Sequence, residues 1–236
     1  MTTMIPYADL CTASGCMKKA KNYSRFCAKH QHREQAWGHE LQETITSVHL
    51  RDPIQRLERW YRTHEGKRAI DAAVDHYVTM AERRAKEYSD DLREMMKTGL
   101  KWSTPHHQTT QFIAEVYASK DPKKTVMEQL ALGILLEETP QMFRNDTAFL
   151  FATTHTFMRR SAAKQKYRFR PKQGRAIAST KYISRRTRAE LGRWLTREIV
   201  YFGVTIYRQW QREATEDKQQ RNKVFAAIRG EATASA

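Results

Sequence analysis

One helical periodicity constrains the fold of this chain more than any other feature of its sequence. Over residues 67–97, apolar side chains recur at steps of three and four; they are Ile70, Val74, Tyr77, Ala81, Ala85, Tyr88, Leu92 and Met95. On an α-helix these positions share one face, so the pattern predicts a long amphipathic helix. Other elements must cover that face.

The rest of the chain also favours helices. Glycine and proline number only 9 and 6 among 236 residues, and long stretches are rich in good helix formers. Prolines at 105, 122 and 140 separate further segments, with Thr104 as the N-cap of a helix through Tyr117. We predict helices over about residues 124–138 and 142–157, and helical or irregular structure over residues 40–64, with a break near Pro53. The predicted fold class is mainly α.

A long final helix is predicted from a second apolar stripe. Its positions are Leu191, Trp194, Leu195, Ile199, Phe202, Ile206, Tyr207 and Trp210. We expect its large aromatic side chains in the core, with Ser184 or Thr187 at the helix start and Glu190 completing a capping box with Thr187.

All three cysteines lie within residues 11–27, in the pattern Cys11-x4-Cys16-x10-Cys27-x2-His30. Two close pairs joined by a longer loop match the ligand spacing of a tetrahedral zinc site, which would be structural because all four ligands come from the protein. His32 is an alternative to His30 as the fourth ligand. The alternative to a metal site is three reduced, unliganded cysteines.

The first forty residues resemble the small zinc knobs of bacteriophage and mobile-element DNA-binding proteins. The matching positions are Gly15, Cys16, Cys27, Lys29, His30, Arg33, Gly38 and His39. Because such knobs often accompany HNH endonucleases, the resemblance implies a search for that catalytic site.

That search favours a protein without enzyme activity, although a divergent HNH-like nuclease stays open. His106, His107, Asn145 and His155 form the only His–Asn–His series, and 37 residues separate His107 from Asn145 in segments that read as helices. We expect His106 and His107 to face solvent and His155 to lie in the core. The adjacent Asp90 and Asp91 read as a solvated helix face.

The net charge of +16 is confined to two segments. Residues 1–33 contain six Lys/Arg and one acidic residue, and residues 159–193 contain thirteen Lys/Arg and only Glu190, while the remainder is nearly neutral. Such local excess favours a polyanion-binding footprint. The predicted nucleic-acid contacts are Arg159, Arg160, Lys164, Lys166, Tyr167, Arg168, Phe169, Arg170, Lys172, Arg175, Lys181, Arg185, Arg186, Arg188 and Arg193.

Within this segment, aromatic and basic residues alternate from 166 to 170 and turn-forming residues follow, which predicts a basic β-hairpin near residues 165–179. Aromatic rings can stack on bases while arginines pair with phosphates. Arg185, Arg186 and Arg188 crowd a helix start, where cations oppose the helix dipole unless an anion binds. The alternatives are a solvated basic linker or a docking segment for an acidic protein.

We therefore expect a zinc module at residues 1–40, a helical nucleic-acid-binding domain at 41–215 and a short helix with a frayed tail at 216–236. The expected function is non-catalytic binding of DNA or RNA, with DNA favoured, in a phage, plasmid or other mobile element. A second hypothesis is a subunit of a larger nucleoprotein complex, such as the large subunit of a compact zinc-bearing CRISPR effector, which is a ribonucleoprotein. The N-terminus lacks the regions of a signal peptide, which predicts a cytoplasmic protein without a membrane partner.

Overall fold

The computed structural model describes residues 10–21, 23–99, 104–159, 165–170, 175–180 and 183–228. For residues 165–170, 175–180 and 226–228 it describes the backbone alone. Four predicted nucleic-acid contacts (Arg160, Lys164, Lys172 and Lys181) and the end of the predicted frayed tail, residues 229–236, lie outside the described residues.

The predicted mainly α fold is confirmed. The helices are α1 (Ala28–Trp37), α2 (Arg51–Tyr61), α3 (His64–Thr98), α4 (Pro105–Ser119), α5 (Pro122–Glu138), α6 (Asp146–Met158), α7 (Arg185–Leu195) and α8 (Tyr201–Ile228). A short 3₁₀ turn, Pro140–Met142, precedes α6, and a π-helical segment, Thr196–Val200, joins α7 to α8. None of the helices in the described ranges is long and apolar enough to cross a bilayer.

The long helix read from the first apolar stripe is α3. Its N-cap is Thr63, whose hydroxyl accepts a hydrogen bond from the Gly66 N–H, and it ends at Gly99 in the left-handed conformation. The stripe residues Ile70, Tyr77 and Ala81 are buried, and α4 packs along the same helix. The stripe therefore predicted both the helix and the face that it buries.

Helix α5 lies at the centre of the body and is buried on every side from residue 125 to 135. It packs against α2, α3, α6 and α8, which explains why its sequence carries no amphipathic pattern. The crossing of α5 and α8 depends on Gly133 and Gly203. A Cβ atom added at Gly203 would lie 2.1 Å from the Leu130 carbonyl oxygen, so only glycine allows this approach.

The second apolar stripe is interrupted by the π-helical segment. Trp194 is buried, as predicted, and Tyr207 and Trp210 pack against the core, but the expectation that Phe202 lies there is wrong, because its side chain is 43% exposed. A π-helical turn accommodates an extra residue and rotates the following residues about the helix axis. Val204 consequently turns into the core in place of Phe202.

Several helix boundaries resolve the alternatives left by the sequence. The break expected near Pro53 is the start of α2, and Thr104 is the N-cap of α4. Ser184, not Thr187, is the N-cap of α7, and its hydroxyl accepts a hydrogen bond from the Thr187 N–H. Helix α8 continues without a break across residue 215.

The basic segment contains two antiparallel strands, β1 (Gln165–Arg170) and β2 (Arg175–Thr180). Gln165 pairs with Thr180 and Arg170 with Arg175, so the strands are in the register of a simple hairpin. The strands lie where the alternating pattern predicted them.

Candidate metal centre and basic surfaces

The N-terminal knob (residues 10–39) is a compact loop structure that ends in α1. Leu10 and Lys19 form an isolated antiparallel bridge, and the Cys11 N–H donates to the Lys18 carbonyl at 2.9 Å. Gly15 adopts a positive φ of 72° in the turn that returns the chain to Cys16. The backbone therefore brings Cys11 and Cys16 together through a tight turn.

The four predicted ligands converge on one point. The three sulfur atoms and the His30 Nδ1 atom all lie within 4.8 Å of one another. The His30 Nδ1 atom is 3.3 Å from the Cys11 Sγ and 3.5 Å from the Cys27 Sγ, and the Cys16 and Cys27 sulfurs are 3.9 Å apart. A tetrahedral ion with zinc-like bond lengths separates its ligand atoms by about 3.6 Å for S···N and about 3.8 Å for S···S. The cluster has the dimensions of a Cys₃His metal site.

Helix α1 selects His30 over His32. Cys27 is the N-cap of α1 and His30 lies in its first turn, so both side chains reach the same side, whereas His32 is exposed. The pKa of the Cys27 thiol is lowered, chiefly because the backbone N–H of His30 donates to its sulfur. A thiolate at a helix N-terminus is a ready metal ligand.

The knob has almost no apolar core besides its ligands. Its buried cluster consists of Cys11, Ala13, Phe26 and Cys27, with Leu41 packed at the edge. So small a cluster cannot offset the entropy of ordering the knob, so metal binding would supply much of the folding free energy.

Two of the predicted phosphate-binding arginines hold the knob against the helical body (residues 40–228). Arg185 forms an ion pair with Glu34, and Arg188 donates to the carbonyls of Gln35 and Ala36 in the last turn of α1. The partial negative charge at the C-terminus of α1 thus compensates the arginines at the start of α7, where the helix dipole is also positive. That both residues also contact nucleic acid stays a prediction, as does the same role for Arg186 and Arg193, which are exposed.

The predicted contact Arg159 is largely inside the protein. Its guanidinium is 3.1 Å from one carboxylate oxygen of Glu128, and the Lys120 ammonium is 2.6 Å from the other. The Glu128 side chain is only 7% exposed, and burial lowers the pKa of Lys120. The structure therefore gives Arg159 a role in a buried ion triad.

The candidate HNH residues are dispersed in helical positions with structural partners. His107 is buried, so the expectation that it faces solvent is wrong. Its ring nitrogen lies 3.1 Å from the carboxylate of Asp91, which is partly exposed. Their pairing follows from the packing of α4 on α3. Asn145 caps α6 through the Ala148 N–H, and the His155 ring contacts Trp37.

One exposed residue of the knob, Tyr23, was not singled out by the sequence analysis. Tyr23 is fully exposed and is the only residue other than glycine with a positive φ in the described ranges. No periodicity or spacing rule identifies such a position, because it depends on how a short loop closes.

No family model, no curated protein and no solved structure matches this chain. The resemblance of the knob to phage and HNH-associated knobs consequently rests on the residues named for it, and the geometry of the four ligands is the part of it that the structure supports.

Proposed function

We propose that this protein binds nucleic acid without catalysing a reaction, and that a structural zinc ion orders its N-terminal knob. The observation that carries the proposal is the hairpin β1–β2 together with its charge. Residues 160–181 contain eight Lys/Arg and no acidic residue, and the backbone of their central part forms paired strands. A hairpin bearing a single sign of charge suits the phosphate backbone of nucleic acid.

The resemblance of the knob to those of phage and mobile-element proteins favours DNA over RNA. Zinc is the metal that best fits three thiolates and one imidazole at tetrahedral spacing. Four protein ligands leave no open position for a water molecule, so the ion would hold the knob together and perform no chemistry.

Elemental analysis of protein purified without chelator tests the metal assignment. We expect one zinc ion per chain, released by the double substitution Cys16→Ser and Cys27→Ser. Less than half an equivalent in folded protein, or full retention by the double variant, would overturn the assignment.

Affinity measured across a series of salt concentrations tests nucleic-acid binding. Replacing Arg168, Arg170 and Arg175 with Gln should flatten the dependence of affinity on salt, by about 0.9 in log–log slope for each lost duplex phosphate contact. Tyr167→Ala with Phe169→Ala should lower affinity for single strands more than for duplex, with little change in slope, because stacking is independent of salt.

Arg185 and Arg188 are left unchanged in these variants. Because both residues contact α1, replacing them would change the folding of the knob as well as the measured affinity. Wild-type protein that binds neither DNA nor RNA would refute the proposal. Binding with unchanged affinity and slope in both variants would show that the hairpin is not the contact surface.

A further inference from the structure

The knob carries a group of five exposed cations between residues 18 and 29. Its members are all exposed and project from the loop and the first turn of α1; they are Lys18, Lys19, Lys21, Arg25 and Lys29. Within the described part of the chain none of them forms an ion pair, and Glu34, the knob's acidic residue in that part, is paired with Arg185. This local excess of positive charge favours the binding of a polyanion.

Tyr23 stands at the tip of the same loop. The Ser24 N–H donates to the Lys21 carbonyl, and the Lys21 N–H donates to the Phe26 carbonyl, each at 2.9 Å. These bonds close the turn and leave the Tyr23 ring in solvent with a backbone φ of 60°. A left-handed conformation is unfavourable for a residue with a Cβ atom, and glycine would relieve it. Neither the backbone nor the ring of Tyr23 serves the packing of the knob.

The metal site holds this loop at both ends. Cys16 and Cys27 flank this loop in the sequence. Thr12 ties the loop to the preceding segment through two hydrogen bonds to the Arg25 carbonyl, from its N–H at 3.0 Å and its hydroxyl at 3.2 Å. An aromatic ring on a loop that is anchored by such hydrogen bonds loses less entropy on binding a ligand than a ring on a free chain. The combination matches single-stranded nucleic-acid sites, where bases stack on aromatic rings and phosphates pair with lysines.

We infer that this loop of the knob is a second nucleic-acid contact, on which an unpaired base stacks on Tyr23 while lysines of the same loop neutralise phosphates. The inference rests on the proposed function and assigns its ligand as a single-stranded segment. An acidic protein could satisfy the charges, but it gives no reason for a fully exposed ring in a strained backbone.

Tyr23→Ala isolates the stacking contact. We expect about tenfold weaker binding of a short single-stranded oligonucleotide, a much smaller change for a duplex, and an unchanged salt slope. Tyr23→Trp should restore the affinity because indole also stacks. The matched control is Tyr201→Ala, which removes another exposed aromatic ring from the far helix α8 and should leave binding unchanged.

A second pair of variants isolates the charge. Lys18, Lys19 and Lys21 are replaced together by Gln, and the control replaces Lys218, Arg221 and Lys223, which are exposed on α8. Both remove three positive charges, but only the knob variant should lower the salt slope for single strands, by about two units. Metal content and helical circular dichroism confirm that each variant is folded.

Tyr23→Gly separates binding from folding. Relief of the left-handed strain should make the knob harder to unfold with chelator, while affinity for the single strand falls as in Tyr23→Ala. Wild-type protein that binds no nucleic acid refutes the proposed function itself. Wild-type binding that the knob variants leave unchanged refutes this inference alone. Knob variants that lose binding to poly-glutamate but not to the oligonucleotide would also overturn it, in favour of an acidic protein partner.

Discussion

The knob buries four side chains in its own cluster, two of them metal ligands, whereas α5 of the body alone buries the eleven residues 125–135. The two regions also differ in whether their cations are buried and paired with acidic residues. In the body, the Lys120 and Arg159 side chains are largely buried and share Glu128, while the five cations of the knob are exposed and form no ion pair within the described residues. Apolar burial can therefore fold the body, whereas the small cluster of the knob is the reason we propose that a metal ion orders it and that an anionic ligand binds its cations.

Removing the metal should have the largest effect and separate the two regions. Structural zinc contributes about 10–16 kcal/mol in small modules, so a strong chelator should unfold the knob. Limited proteolysis after Lys18 to Lys29 should then become rapid, while the helical circular dichroism of the body persists. Loss of most of the helical signal on chelation would show that the body depends on the knob, contrary to the comparison.

Glu128→Gln should give the next largest effect. It leaves two buried cations without a counter-charge, which costs about 3–5 kcal/mol in free energy of unfolding. The matched control is Glu138→Gln, which breaks a half-exposed pair with Arg56 and should cost about 1 kcal/mol or less. Urea denaturation measures both, and equal losses would contradict the assignment of Glu128 as the centre of a buried triad.

The same site predicts a dependence on pH. Burial lowers the pKa of Lys120 in the folded protein, so between that lowered value and the ordinary pKa of lysine the unfolded chain binds more protons. Stability contributed by this group therefore rises with pH across that window. The rise should be steeper in Glu128→Gln, where the ammonium has lost its carboxylate, and a stability difference from wild type that stays constant with pH would contradict this reading.

Gly203→Ala tests the glycine contact between α5 and α8. The added methyl group meets the Leu130 carbonyl, so the helices must separate, at a cost of about 1–3 kcal/mol. Gly99→Ala is the control, because a Cβ atom there has no neighbour within 4 Å among the described residues. Its only expected cost in free energy of unfolding comes from the left-handed backbone conformation. Thermal unfolding compares the stability lost through a packing clash with the stability lost through backbone strain. A smaller loss of stability in Gly203→Ala than in Gly99→Ala would contradict the close approach of α5 and α8.

Local patterns predicted the elements that depend on local physics. The stripe from Ile70 to Ala81 identified α3, and the spacing of Cys11, Cys16, Cys27 and His30 identified the metal cluster. Choosing His30 over His32 required knowing where α1 begins, because the first turn of α1 places Cys27 and His30 on the same side. Spacing along the chain contains no such information.

Features that depend on contacts between distant segments could not be read from the sequence. The π-helical turn that exposes Phe202 and the pairing of His107 with Asp91 arise from tertiary packing. The burial of Arg159 required knowing that Glu128 lies opposite it. The count of charges along the sequence assigned Arg159 and Arg185 to the same binding surface as the hairpin. In the structure Arg159 pairs with Glu128 and Arg185 pairs with Glu34.

Arg188→Gln should give the smallest effect, and it tests how the two regions are joined. The sequence alone suggested that removing cations at the start of α7 would relieve a conflict with the helix dipole. The structure reverses that expectation, because Arg188 donates to carbonyls at the C-terminus of α1 and its guanidinium lies 5.0 Å from the centre of the Phe151 ring. We expect the local stability of α1 to fall by about 1 kcal/mol, which amide hydrogen exchange would detect as faster exchange in this helix. Arg186→Gln, at an exposed position in the same turn, should be neutral or slightly stabilising because it removes only the unfavourable charge. If both variants gained stability equally, the contact between α7 and α1 would contribute nothing, and the arginines of this turn would again be best explained as sites for an external anion.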